Sequence, residues 1–324
     1  QCHANESNEL SEAQAASSTP SASLNHRCAS THALPSLGLS WMQRDADTHG
    51  VHLYVFVHGF HGNQFDLRGM KNQLALLLPD KSNARFLMSS TNEPHTASAS
   101  FEVLGQNLAR EVSQFILTER ISDSIERLSF ICHSFGSIIC RSALRQAELE
   151  PYLSKLHTYT SLSGPHLGML YSSNMLVELG IWGLRKWKNA QCLTELSLKD
   201  DKVPSNCFMY KLSKNDMLSR FVNVLLVSSA EDRYVPHHSA RIQLCPEAMH
   251  DTRYGSAFVC MVHNLLTPLR CANMVHVDVS FSATVSTKLA AQLDDAIGRA
   301  AHIAFLEQAA FIQMFVQMYL HYFA

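Results

Sequence analysis

The chain has 324 residues, of which 46% are hydrophobic and 17% charged, and a formal net charge of -2. That size and balance can bury a large core and suit a soluble enzyme of one catalytic domain with a short extension, while the near-neutral charge argues against a nucleic-acid binder, which needs a clustered basic face. No apolar run reaches the roughly 20 residues that cross a bilayer, and the first residues lack the charged-then-apolar pattern of a secretory signal.

In chain order, residues 1–45 are rich in Ser, Ala, Asn and Thr without a hydrophobic period, which predicts a disordered extension. The chain opens on Gln1, as a fragment would. A single α/β domain is expected over 46–324. Its first strand, 51–57, runs into His58-Gly59-Phe60-His61-Gly62, whose glycines permit backbone turns that point an N–H inward. This loop is the candidate oxyanion loop: the Phe60 amide is the donor, and Gly59 and Gly62 shape the turn beside His58 on the substrate side. A strand near 84–90 and a helix over 101–120 follow.

The stretch Phe130-Ile131-Cys132-His133-Ser134-Phe135-Gly136-Ser137-Ile138-Ile139 then joins an apolar strand (128–133) to an apolar helix (137–148) through a serine. Such a serine is thrust out of a tight strand-to-helix turn with the helix N-terminus behind it. Strand and helix approach closely only if the residues two before and two after the serine are small. Gly136 meets that need; Cys132 stands where glycine is commonest. Ser134 is the candidate nucleophile and the Phe135 amide the second oxyanion donor. His133 is expected to turn toward the core or a neighbouring loop, and counts with His58, Gly59 and Gly62 among the residues shaping the substrate side.

A strand at 156–163 leads into a long connection, 168–220, whose Met169-Leu170, Ile181-Trp182 and Trp187 are interleaved with Arg185, Lys186 and Lys188. It reads as an amphipathic cap over the serine that would contact a lipid surface if mobile, or as ordinary helices packed on the sheet. The strand 221–228 ends in Ser229-Ala230-Glu231-Asp232-Arg233-Tyr234-Val235-Pro236, which supplies the acid: Asp232 by its D-x-x-V-P context, with Glu231 as alternative. A second connection, 244–268, carries Cys245, Met249, Tyr254 and Phe258 and is expected to border the same cleft. The base must follow the acid, and His302 in Gly298-Arg299-Ala300-Ala301-His302-Ile303 precedes an apolar C-terminal helix. His276 competes, but it lies inside the alternating strand 273–281, where a histidine is more often packed than mobile.

Strands alternating with helices imply a mainly parallel sheet with helices on both faces and a site at the strands' C-terminal edge. The nine cysteines are odd in number and dispersed, which predicts free thiols in a reducing compartment and an intracellular, cytoplasmic protein. His58-x-x-His61 and His237-His238 imitate metal spacing but lie in loops already assigned, so no metal or cofactor is expected.

From about Val51 to Phe323 the chain resembles the eukaryotic putative serine esterase domain, a lipase-like α/β-hydrolase that closes some large multidomain proteins. The elbow, the His-Gly loop, Ser161-Leu162-Ser163-Gly164-Pro165-His166-Leu167-Gly168, Asp232-Arg233-Tyr234-Val235-Pro236 with Ser239-Ala240-Arg241-Ile242, and Gly298-Arg299-Ala300-Ala301-His302-Ile303 carry the likeness. Its motifs fall on Ser134, Asp232 and His302, and the resemblance implies an α/β-hydrolase fold. Cys132 is the departure, and it bears on the tightness of the elbow. The expected activity is cleavage of a carboxylic ester, small or lipid-derived, with peripheral membrane contact and no nucleic acid among the partners. The alternative is an inactive hydrolase-fold scaffold within a larger protein.

Overall fold

The structure, a computed structural model, describes residues 50–171, 190–281 and 301–324. The expected extension over 1–45, the middle of the expected cap (172–189) and the start of the motif around His302 (298–300) lie outside the described residues.

Six strands form one sheet: β1 (Val51–Val57), β2 (Ala84–Met88), β3 (Ile125–His133), β4 (Leu156–Leu162), β5 (Asn223–Ser228) and β6 (Asn273–Asp278). They run in the order β2-β1-β3-β4-β5-β6, and every pairing is parallel. β1 and β5 are buried along their whole length, as expected of strands covered on both faces. Side-chain alternation divides the core in two. On one face Leu53, Val55, Phe130, Tyr159, Val224 and Leu226 pack with helices α2 (Phe101–Thr118), α3 (Phe135–Ala143) and α4 (Gly255–Leu269). On the other, Tyr54, Phe56, Ile131, Leu225, Val227 and Val277 pack with α1 (Arg68–Leu77) and α5 (Ala309–Tyr319). This is the α/β-hydrolase fold that the sequence predicts.

The local sequence explains the helices that frame the site. α2 starts at Ser100, whose hydroxyl accepts the Val103 amide at 3.3 Å, and buries Leu104, Leu108, Val112 and Ile116 at a spacing of four. α3 begins at Phe135, two residues earlier than the sequence suggests, because Ser134 itself makes the turn with φ 52°. It ends at Ala143 rather than reaching 148, giving way to 3-10 turns over Ala147–Lys155 that contain Pro151. Proline lacks the amide an α-helix would use and disfavours helical backbone in the residue before it.

Chain order reverses at β1, which sits between β2 and β3, and the crevice at such a switch point lies off the C-terminal ends of the strands. Register aligns those ends: Val57 pairs with Cys132, His133 with Leu162, and Leu162 with Val227. The loops that begin at His58, Ser134, Ser163 and Ser229 therefore leave the sheet along one edge. Among the described residues no single helix is long and apolar enough to cross a bilayer; Ala301–Glu307 and Ala309–Tyr322 reach that length only together, across a 70° bend.

Candidate active site

Ser134 sits at the β3–α3 turn with φ 52° and ψ -123°, a conformation that non-glycine residues adopt only when the surroundings enforce it. The enforcement is visible. Its amide donates to the Leu162 carbonyl at 2.9 Å, and its carbonyl accepts the Ser137 amide at 3.0 Å. Gly136 lets the helix lie against β1: a Cβ there would stand 2.3 Å from the Val57 carbonyl oxygen and 2.7 Å from that of His58. Cys132, in the position where glycine is commonest, is fully buried. Although Ser134 precedes the helix, its hydroxyl makes no capping bond, so it is left to face its neighbours.

Its neighbour is His302. The Ser134 hydroxyl donates to Nε2 at 3.0 Å, while Nδ1–H donates to Asp232 Oδ2 at 2.7 Å. Asp232 Oδ1 accepts the backbone amides of Tyr234 at 2.8 Å and Val235 at 3.1 Å. Burial opposes ionisation of this carboxyl. The adjoining His302 imidazole and the bonds from His302, Ser163 and Val235 outweigh it and hold the group below the usual aspartate value. The three residues picked out as nucleophile, base and acid thus form one hydrogen-bonded chain across 168 and 70 residues of sequence.

The alternatives lie elsewhere. Glu231 is committed to the Ser229 and Ser280 hydroxyls and the Phe281 amide, which fasten the acid loop to the chain after β6. His276 stands opposite Leu226 within β6, where burial lowers its pKa to about 4.

The His-Gly loop lies directly on the elbow. A Cβ on Gly59 would meet the Ser134 Cβ at 3.0 Å and the His133 ring at 3.2 Å, tighter than ordinary contact, so glycine lets the loop lie this close without displacing them. The Phe60 and Phe135 rings are neighbours, with centroids 5.1 Å apart. Gly59, Phe60, Gly62, His133, Ser134, Phe135 and His302 all open onto a cavity of about 1300 Å³. His58 does not. Expected among the substrate-side residues, it is 2% exposed, with Nδ1 3.0 Å from the Gly59 carbonyl, because β1 delivers it beneath the loop rather than onto its outer face.

The cavity lining mixes apolar side chains, among them Phe60, Phe135, Met169, Leu193, Leu306 and Ile312, with polar ones such as Asn63, Asp66, Asn72 and Gln73. Met169, Ala190 and Leu193 belong to the connection expected to act as a cap. The second connection does not border the cavity: Cys245 and Phe258 are buried against the sheet with α4, and Tyr254 and Met249 line no part of it.

Three neighbours of the chain were not assigned these contacts from sequence. His133 Nε2–H donates to the His302 carbonyl at 3.0 Å, its ring 4.8 Å from the His302 ring, and burial followed by the His302 charge lowers its pKa to about 3. The Tyr234 ring lies 5.3 Å from that of His302. The Ser163 hydroxyl donates to Asp232 Oδ2. The sequence signal for Ser163 is its place in the Ser161–Gly168 motif, directly after a strand and at the edge where the loops gather.

A family described as Putative serine esterase (DUF676) matches residues 47–246. The chain belongs to this family. Membership makes it a hydrolase-family protein of the serine esterase type. Ser134 and Asp232 fall inside the matched range and His302 beyond it. Saccharomyces cerevisiae has a similar protein, "Putative lipase YDL109C", 27% identical over 233 residues, or 67% of this chain and 34% of the yeast protein. The chain therefore spans about a third of that relative's length. Among solved structures, the lin2722 product of Listeria innocua superposes with TM-score 0.46 at 11% identity, covering 82% of this chain and 92% of that one. A lipase-esterase related protein of Clostridium acetobutylicum gives 0.43 at 10%, covering 84% and 96%.

Proposed function

We propose that the protein hydrolyses carboxylic esters through a covalent acyl-enzyme on Ser134. The carrying observation is the bonded chain from Ser134 Oγ through His302 to Asp232, opening onto the cavity. His302 Nε2 takes the hydroxyl proton as Ser134 Oγ attacks the ester carbonyl, and Asp232 keeps Nδ1 protonated and balances the imidazolium that forms. The Phe60 and Phe135 amides carry the negative charge of the tetrahedral oxygen. The imidazolium returns its proton to the departing alcohol. Water, activated by the same nitrogen, then cleaves the acyl-serine and regenerates the hydroxyl. Losing one oxyanion donor would cost about 2.7–4 kcal/mol of barrier.

A lipid-derived ester is the substrate class we favour. The cavity exceeds the roughly 300–1,000 Å³ usual for small-molecule pockets, combines apolar and polar side chains in its lining, and the yeast relative is named a lipase. We further propose a single hydrolase domain from residue 46 onward, with the 168–220 connection capping the acyl site, and an intracellular setting in keeping with the free thiols of Cys132, Cys140, Cys192, Cys207, Cys245, Cys260 and Cys271.

The test is turnover of p-nitrophenyl esters of increasing acyl length by wild-type and Ser134→Ala protein. Wild-type turnover is expected to rise with chain length, and Ser134→Ala to lose at least about a thousandfold. Equal turnover by the folded variant would remove Ser134 as nucleophile.

A further inference from the structure

Ser163 is the first residue beyond β4, is 1% exposed, and has φ 52° although it is not a glycine. Its amide continues the sheet ladder, donating to the Val227 carbonyl at 2.8 Å. A residue at that point needs left-handed backbone, which a serine adopts at a cost glycine does not incur. What serine adds is the hydroxyl, which donates to Asp232 Oδ2, the same oxygen that accepts His302 Nδ1–H. Each Asp232 oxygen thereby holds two donors: Tyr234 and Val235 amides on Oδ1, His302 and Ser163 on Oδ2. The backbone amides fix one oxygen; only Ser163 and the imidazole itself fix the other. Without Ser163 the two amides still hold Oδ1, but Oδ2 keeps only the imidazole, so the carboxylate is less firmly held against twisting about its Cβ–Cγ bond and the imidazole it orients is less firmly aimed.

We propose that Ser163 is a positioning residue that sets the rotation of the Asp232 carboxylate and, through it, the aim of His302 at Ser134. Ser163 is not among the residues that line the cavity. The proposal rests on the ester-hydrolase reading above. Its consequence is confined to the chemical step: kcat depends on the Ser163 hydroxyl and KM does not.

The direction with pH follows from the donor count. The Ser163 hydroxyl is one of the donors that hold Asp232 below the usual aspartate value; without it the carboxylate takes up a proton more readily. The triad then loses its charged acid at a higher pH, which moves the acid end of kcat/KM upward.

Two variants separate positioning from folding. Ser163→Ala keeps the left-handed strain and loses the hydroxyl, whereas Ser163→Gly loses both. Ser163→Gly is expected to melt at or above the wild-type temperature, yet both variants should lose about tenfold in kcat at unchanged KM and show the acid limb displaced upward. Full kcat with an unmoved pH profile in either folded variant, beside active wild-type protein, would overturn the role of Ser163 and leave the ester-hydrolase reading standing. If well-folded wild-type protein turned over no ester at any chain length, the hydrolase reading would fail first and this role with it.

Discussion

Gly136→Ala is the sharpest test of how the elbow is built. The added methyl would lie 2.3 Å from the Val57 carbonyl oxygen, 2.7 Å from the His58 carbonyl oxygen and 2.9 Å from the Val57 carbonyl carbon. Ordinary contacts of this kind are about 3.5 Å, so roughly 1 Å of movement is needed against backbone rather than side chain. β1 cannot yield it, because it is hydrogen-bonded to β2 on one side and β3 on the other. Helix propensity runs the opposite way, alanine being better than glycine by about 1 kcal/mol in a helix interior, so any loss of stability must come from the clash. We expect about 3 kcal/mol or more of destabilisation in urea, the upper end for overpacking a core, together with loss of ester turnover as the elbow and the Val57 and His58 carbonyls are pushed apart. Gly50→Ala is the matched control. The atoms nearest its methyl would be the Cγ, Cδ and Oε2 of the exposed and flexible Glu126 side chain, which can swing away, and we expect a change within about 0.5 kcal/mol. A Gly136→Ala protein as stable and active as Gly50→Ala would refute the packing argument.

Acidification should destabilise the protein through its buried histidines. Burial holds His52, His133 and His166 neutral below the ordinary value of 6.5, so the unfolded chain binds the extra protons and stability is lost as pH falls below 6.5 toward the folded value, about 3 for His133. For His133 alone that is about 2 kcal/mol at pH 5 relative to pH 7.5. Glu195, which accepts the Phe101 amide at 2.8 Å and is raised to about 7 by burial, acts in the opposite sense between 4.5 and 7. Glu195→Gln protein should therefore lose its urea midpoint more steeply on acidification than wild type, and a midpoint unchanged between pH 7.5 and pH 5 in that variant would contradict the assignment. Arg141, fully buried, donates to Asp216 at 2.5 Å and to the His166 carbonyl at 2.9 Å, tying α3 to the loops behind it. Arg141→Ala should cost about 3–5 kcal/mol by stranding the Asp216 charge, and Arg141→Met with Asp216→Leu should recover much of it; a loss under about 1 kcal/mol for the single change would count against the pair.

The first strand was legible because 51–57 is an apolar run that coincides with β1, whereas 156–163, rich in Thr and Ser, stands out by its β-branched and aromatic residues and ends one residue beyond β4. The elbow was legible for a local reason: a strand, a serine, a small residue and a helix in immediate succession. Asp232 was recoverable because it lies in a polar loop directly after an apolar strand, and His302 because it follows the acid in the order the chemistry needs, although it stands in the helix Ala301–Glu307 rather than in the expected loop. Ser163 was not singled out. Its partner is 69 residues away, and the contact exists only because β4 and β5 are neighbours in the sheet, which no local pattern reveals. His58 was misplaced among the cavity residues because alternation along β1 decides which way the following side chain points, and the turn at Gly59 interrupts that alternation. The second connection was misassigned because apolar residues at helical spacing look alike whether they line a cleft or, as Phe258 does, fill the core.

The most direct measurement is phosphonylation by a fluorophosphonate probe, located by mass spectrometry of the peptide containing Ser134. Only a serine whose hydroxyl proton is taken by a neighbouring base reacts readily. The account predicts stoichiometric labelling at Ser134 in wild-type protein and at least about a hundredfold slower labelling in His302→Ala. Folded wild-type protein that leaves Ser134 unlabelled, or His302→Ala protein that labels at the wild-type rate, would contradict it.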